Sequence, residues 1–446
     1  MTDPSIWSAP HSPGPVDAVV AVPGSKSLTN RWLVLAALAD GPCTLRRPLR
    51  SRDSERMVEA LRCLGVVVDD GSEDAWTVTA PDRLHGDTEV DCGQAGTVMR
   101  FVPPIAALAH GAVRFDGHPT ARTRPVGPVL EGLRALGVEV DDGGRGTLPY
   151  TVTGRGSVRG GHVPVDASAS SQFVSALLLA GARFEEGLTL EHTGQTLPST
   201  THVEMTVQAL RAVGVRVDQP HARTWRIEPG PVRAFDVAVE PDLSSAAPFV
   251  ALAAVTGGTV TVPGWPAVTT QPGDRLREIL ELMGARTSLT EVGLVVRGPA
   301  GDDGRPARLA GVELDLSDVG ELTPVVAALA ALADGPSRLS GIGHLRGHET
   351  DRLAALVTEI GRLGGRAEET EDGLTVTPVP LHAARLRTYH DHRMAMFAAV
   401  VGAAVPGVQV EDVATADKTF PGFHEAWERA VGGDGAARGN AAAVQA

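Results

Sequence analysis

The turn-forming Pro23-Gly24 leads into Ser25-Lys26-Ser27-Leu28-Thr29-Asn30-Arg31, the strongest chemical signal in the chain. The serines can cap a helix whose first turn carries Lys26 and Arg31, and a helix N-terminus with unpaired N–H groups is a ready anion site. The order differs from that of a P-loop, and a capped helix with a solvated basic face remains the alternative. A second stretch, Gly347-His348-Glu349-Thr350-Asp351-Arg352, sets carboxylates beside a guanidinium. Glu349 there can act as a general acid or base next to an anion-binding Arg352, or Arg352 can simply pair with a carboxylate. A third, Thr388-Tyr389-His390-Asp391-His392-Arg393-Met394, reads as an Asp-capped helix presenting Arg393 to an anion. Zinc held by His390 and His392 is the weaker reading, because two ligands at i,i+2 have no further paired ligand. Arg122-Thr123-Arg124-Pro125 and Asp417-Lys418-Thr419-Phe420-Pro421 place more cations in turns, as surface charge or as site. Ser168-Ala169-Ser170-Ser171-Gln172 offers hydroxyls and an amide at a helix start, for capping or for phosphate and sugar-like hydroxyls. Together these residues suit a multiply anionic ligand.

The elements that must hold them repeat. Six apolar, Ala-rich helical runs open on polar or charged clusters, at Ser25–Arg31, Gln94–Arg100, Ser168–Gln172, Asp242–Ser245, Asp318–Glu321 and His390–Arg393. They close at Gly41, Gly111, Gly181, Gly257, Gly335 and Gly402, in steps of 70, 70, 76, 78 and 67 residues. A second series of helix ends stops at Gly65, Gly137, Gly214, Gly284 and Gly364, as left-handed caps would, mostly followed by alternating strand patterns. The unit is helix, strand, helix, strand, strand, an α/β repeat that must share a core with its neighbours. Six units in two groups of three predict two domains. The first spans 24–239, and the second combines 1–23 with 240–430, so the strand around Ala18–Val22 belongs to the later group. The Gly/Ala-rich end, 431–446, reads as a flexible tail.

Composition narrows the function. With 446 residues, 43% hydrophobic and 21% charged, the chain reads as a soluble multidomain protein, and with only 4% aromatic residues its cores must rest on Ala, Val and Leu. A net charge of −14 argues against a nucleic-acid or membrane binder, so any cationic site is a local focus on an acidic background. The three cysteines, Cys43, Cys63 and Cys92, cannot all pair, show no metal spacing and fit a reducing cytoplasm. No signal peptide and no apolar run long enough for a membrane span is evident.

In this order, the segments resemble the 5-enolpyruvylshikimate-3-phosphate synthase family over nearly the whole chain. The resemblance rests on Pro23–Ser27, Ala95-Gly96-Thr97, Ser170-Ser171-Gln172-Phe173, Glu349-Thr350-Asp351-Arg352, Asp391-His392-Arg393-Met394-Ala395-Met396 and Lys418-Thr419-Phe420-Pro421. It implies the two-domain enolpyruvyl transferase fold, six βαβαββ repeats with a cleft lined by helix N-termini. It also implies enolpyruvyl transfer from phosphoenolpyruvate to the 5-hydroxyl of shikimate 3-phosphate by addition and elimination through a tetrahedral ketal. By position, shikimate 3-phosphate would be bound by Lys26, Ser27, Arg31, Ser170, Ser171, Gln172, Ser199, Glu321 and His348. Phosphoenolpyruvate would be bound by Lys26, Gly96, Arg124, Gln172, Glu349, Arg352, Arg393 and Lys418, with glyphosate taking that second place in sensitive members. Glu321, assisted by Lys26, would be the base at the hydroxyl, and Glu349 the acid and base at C3. Phosphoenolpyruvate brings its own leaving group, so neither a metal nor an organic cofactor is required, and a monomer is the family expectation.

The chain departs from the family pattern at five places. Gln94 stands where Asn is common, His348 where Lys often precedes Glu-Thr-Asp-Arg, and Glu321 where Asp is more frequent. Asp417 stands where a small residue is usual, and Trp32 where Ala is common. These departures leave room for a specialised relative acting on another acceptor. UDP-N-acetylglucosamine enolpyruvyl transferases share the architecture but usually carry a cysteine just before Arg-Pro. Here Thr123 precedes Arg124-Pro125. A non-catalytic anion binder on this fold would be expected to lose its acid/base carboxylates, and Glu321 and Glu349 are both present.

Overall fold

The computed structural model describes residues 5–72, 74–300 and 307–432, and the chain divides into two compact units, Gly24–Glu240 and Met1–Pro23 with Pro241–Ala446. Within Gly24–Glu240 three four-stranded sheets recur with one plan. Cys43–Arg46, His110–Asp116 and Leu188–His192 each run antiparallel to the second, inner strand of a hairpin and parallel to a strand on the other side. For the first sheet that parallel neighbour is Asp236–Ala238, from the far end of the unit, so the third repeat closes onto the first.

The other unit repeats this plan twice, on Thr259–Pro263 and Ser337–Ser340. Asp17–Val19 supplies the parallel neighbour of Thr259–Pro263, which places the N-terminal strand in the later unit. The sixth sheet differs. Gln409–Glu411 pairs in parallel with Arg385–Leu386 but is completed on its other edge by Ile6–Ser8, so the chain's start replaces the hairpin found in the other five. The last helix among the described residues runs from Phe423 to Gly432, and the rest of the expected 431–446 tail lies outside them.

Two kinds of helix follow from two sequence patterns. Lys26–Ala36, Gly96–Ala106 and Gln172–Gly181 in one unit, and Leu243–Thr256, Thr323–Ala331 and His392–Ala404 in the other, are buried nearly all round. Apolar residues without an apolar stripe signal such helices, and the many alanines of Leu243–Thr256, Thr323–Ala331 and His392–Ala404 let those three pack closely on one another. Arg52–Cys63 and Arg352–Arg362 instead alternate buried and exposed faces and cover the sheets from outside. All five glycines of the second series follow helix caps at φ of 77° to 97°, the left-handed conformation that a side chain would oppose.

The first glycine series is more mixed. Gly257 does cap its helix in the left-handed region, but Gly402 lies inside His392–Ala404. A Cβ on Gly402 would come within 2.5 Å of the Ala9 side chain, so this glycine permits close packing and does not end the helix. The Asp318–Glu321 opening is also displaced: a 3-10 turn spans Gly320–Leu322, and the helix begins only at Thr323.

Candidate active site

In the unit Pro241–Ala446 the structure gathers six of the sequence-predicted side chains into two adjoining clusters. Glu349 lies between two cations: its Oε1 accepts from Lys418 Nζ at 2.6 Å and its Oε2 from Arg352 Nη2 at 3.2 Å. His348 Nδ1 stands 3.9 Å from the same Oε2. Arg352 is buried, and Asp391 takes both its Nε (2.7 Å) and its Nη2 (3.1 Å). Burial alone would oppose the charge on Arg352, but Asp391 and Glu349, with Glu321 further off, more than offset it and hold the guanidinium above its usual pKa. Arg393 donates to the Ser244 carbonyl at 2.6 Å and reaches Glu321 Oε2 at 3.4 Å.

Local sequence explains how these groups are placed. Asp351 caps the helix Arg352–Arg362 by accepting from Leu353 and Ala354 N–H, each at 3.1 Å. That starts the helix with Arg352 in its first turn. Asp391 caps the helix His392–Ala404 through the N–H of Arg393 at 2.8 Å while also gripping Arg352. Before it, the Asp391 N–H bonds the Thr388 carbonyl at 2.8 Å, closing a turn on Tyr389 and His390 at φ of 55° and 57°. Two bulky residues in that region carry about 1–3 kcal/mol of strain each. The His390 and His392 rings do not converge: His390 meets Asp412 at 3.3 Å in an exposed position, whereas His392 is buried beside Asp391. Among the described residues no three His, Cys, Asp or Glu side chains form a metal cluster.

In the unit Gly24–Glu240, Ser25 Oγ accepts from Leu28 N–H at 3.5 Å, so Lys26 opens the buried helix, its Nζ 3.8 Å from Asp53. Arg31 is buried. Its Nε donates to Thr206 Oγ1 (2.7 Å), and its two Nη atoms donate to the carbonyls of Ser27 and His202, each at 2.9 Å. Gln172 opens its helix behind Ser170, whose Oγ accepts the Gln172 N–H at 3.3 Å, while Ser171 is buried at the cap. Ser199 precedes the helix Thr200–Ala212 at φ 53°, and its carbonyl accepts the His202 N–H.

Gly96 starts its helix against Arg124: a Cβ there would lie 2.7 Å from Arg124 Nη2, and Arg124 Nη1 is held by the Gln94 carbonyl at 3.1 Å. Thus Gln94, the residue at the departure from the family pattern, positions Arg124 through its backbone. Its side chain turns to His118 and Thr120.

Arg100 escaped the sequence-based site list. Its Nη1 donates to Gln172 Oε1 at 2.8 Å and its Nη2 to the Pro125 carbonyl at 2.9 Å, tying together the two segments that carry Gln172 and Arg124. The available signal was an arginine inside the apolar run Val98-Met99-Arg100-Phe101-Val102, where an unpaired charge could not stay buried. Asp391 was legible as a cap, but its grip on Arg352, 39 positions away, was not.

The fold is that of solved enolpyruvyl transferases. An EPSP synthase from Acinetobacter baumannii is 24% identical, matches with a TM-score of 0.78 and covers 94% of this chain and 97% of its own. The enolpyruvyl transferase NikO from Streptomyces tendae is 19% identical with a TM-score of 0.73, over 96% and 97%. A 3-phosphoshikimate 1-carboxyvinyltransferase of Kocuria rhizophila is 56% identical over 440 residues, 96% of this chain and 97% of that protein. The family model for EPSP synthase (3-phosphoshikimate 1-carboxyvinyltransferase) matches residues 10–427, and the chain belongs to this family.

Proposed function

We propose which side chains carry each step of the family's reaction, in which the protein transfers the enolpyruvyl group of phosphoenolpyruvate to the 5-hydroxyl of shikimate 3-phosphate and releases phosphate. The observation that carries the assignment is Glu349 held between Lys418 and Arg352, a carboxylate fixed among cations. As the hydroxyl oxygen attacks C2, Glu349 passes to C3 a proton drawn from Lys418 through their 2.6 Å hydrogen bond and is left as a carboxylate. Glu321, beside Arg393, takes the hydroxyl proton with Lys26 assisting. The resulting ketal returns its C3 proton to Glu349 as the C2–O bond to phosphate breaks. Arg124, Arg352, Arg393 and Lys418 with Gln172 and Gly96 hold phosphoenolpyruvate. Lys26, Ser27, Arg31, Ser170, Ser171, Gln172, Ser199, Glu321 and His348 hold shikimate 3-phosphate.

The physical basis is preorganisation. Cations already oriented by carboxylates and carbonyls stabilise developing charge without rearranging, and one such donor is worth about 10²–10³ in rate. Arg31 contributes mainly by orientation, because its hydrogen bonds join the start of its own helix to Thr206 and His202. We read the two compact units as the family's two domains and the protein as a cytoplasmic monomer acting without nucleic acid or membrane. No described helix is long and apolar enough to cross a membrane.

Phosphorus NMR of the purified protein with shikimate 3-phosphate and phosphoenolpyruvate, without added metal, tests the reading. Inorganic phosphate appearing together with a new phosphomonoester signal is the expected result. An unchanged spectrum from folded protein would shift the assignment to another hydroxylated anion as acceptor.

A further inference from the structure

The strained turn before Asp391 is held from outside the site. Glu359 lies on the same helix as Arg352, seven residues on and therefore on the same face two turns later. It is completely buried, yet both of its oxygens are engaged by the segment that leads to Asp391. The Tyr389 hydroxyl donates to Oε1 at 2.5 Å, and the Arg387 N–H donates to Oε2 at 3.0 Å. Arg362, one turn further along, adds its Nε to Oε1 at 3.1 Å. One helix thus grips this segment twice, through Glu359 at Arg387 and Tyr389 and through Arg352 at Asp391.

The turn between those two grips is the unfavourable part. Tyr389 and His390 both sit in the left-handed region, where bulky side chains stay only if their surroundings over-determine them. A relaxed turn would swing Asp391. Asp391 both orients the Arg352 guanidinium and starts the helix that presents Arg393. Burial and the Glu359 carboxylate also push the Tyr389 hydroxyl up to about 12, which keeps it a donor at neutral pH.

We infer that Glu359 and Tyr389 form a positioning latch that holds the strained turn, and through Asp391 sets Arg352 and Arg393 for the phosphoenolpyruvate anion. The latch touches no substrate in this account. It rests on the assignment of those two arginines made above.

Steady-state kinetics of Tyr389→Phe and Glu359→Gln, each with a thermal melt, test the latch. Tyr389→Phe removes one oxygen and keeps the ring; Glu359→Gln keeps the shape and removes the charge. A shift in arginine placement predicts a KM for phosphoenolpyruvate raised on the order of tenfold, with KM for shikimate 3-phosphate within about twofold of wild type. Both Michaelis constants moving together with a lowered melting temperature, or neither moving, would overturn the latch. The wild type is assayed alongside, so absent turnover counts against the functional reading and not against the latch. In that case line broadening of the phosphoenolpyruvate phosphorus signal reads the same comparison by binding, and equal broadening by wild type and Tyr389→Phe would sink the proposal.

Discussion

The two compact units hold their candidate cations in different ways. In the unit built from Pro241–Ala446, Arg352 and Lys418 are held on the carboxylates of Asp391 and Glu349, and Arg393 reaches Glu321 at 3.4 Å besides the Ser244 carbonyl. In Gly24–Glu240, Lys26 also faces a carboxylate, Asp53 at 3.8 Å, but the bonds described for Arg31, Arg100 and Arg124 end on hydroxyls, an amide oxygen and backbone carbonyls. A neutral acceptor fixes the direction of a guanidinium without cancelling its charge, whereas a carboxylate fixes it and can also exchange a proton. The first arrangement suits acid/base work beside an anion; the second suits holding a phosphate. One repeated architecture thus offers two chemistries, and the difference lies in what stands opposite each cation.

The largest expected effect falls on the carboxylate side. Glu349→Gln keeps the side-chain shape but removes the group that exchanges a proton with C3, so kcat should fall about 10²–10⁴-fold. Circular dichroism should stay unchanged, and stopped-flow turnover close to wild type would break the contrast between the units. A smaller effect is expected on the other side from Gly96→Ala. The added methyl would lie 2.7 Å from Arg124 Nη2 and must push the flexible end of that side chain away, while the helix itself tolerates alanine. KM for phosphoenolpyruvate should rise on the order of tenfold with kcat less affected, since Arg124 is assigned to binding. An unchanged KM in initial-rate assays would show that the position of Arg124 tolerates displacement.

The smallest effect concerns stability near neutral pH. His344, whose ring centre lies 5.9 Å from that of His348, has its pKa lowered by burial and then by the nearby charge of Arg352. A depressed histidine is neutral when folded but binds a proton readily once unfolded. Its contribution is therefore present in full above the unfolded value of 6.5 and is lost as pH falls through that value towards the lower folded one. Urea melts at pH 7.5 and 5.5 should show a smaller loss for His344→Gln than for wild type. An equal loss in both proteins would place the acid sensitivity elsewhere.

Much of the fold was legible because backbone geometry speaks locally. The glycines at 65, 137, 214, 284 and 364 announce left-handed helix ends, and the polar openings announce buried helices, without knowledge of any partner. The strand expected around Ala18–Val22 is found at Asp17–Val19, paired in the later unit with Thr259–Pro263. Glycine reads poorly when the reason for it is distant: Gly402 makes room for Ala9, nearly the whole chain away, and nothing nearby announces that contact. The sixth sheet escaped for the same reason, since its outer strand comes from Ile6–Ser8.

For the candidate site, residue type and order marked Lys26, Glu321, Glu349, Arg352, Arg393 and Lys418 as candidates beside capping, ion pairing or surface charge, and their roles came from the family resemblance. Pairing belonged to the tertiary structure. Arg352 meets Asp391 across 39 positions, Lys418 meets Glu349 across 69, and Arg100 meets Gln172 across 72. The sequence by itself determined which charges exist and which helix ends carry them. Only the folded chain decided which charges face each other, because a buried ion must find its counter-charge in space, and neighbours in space are set by the packing of sheets and helices from separate repeats.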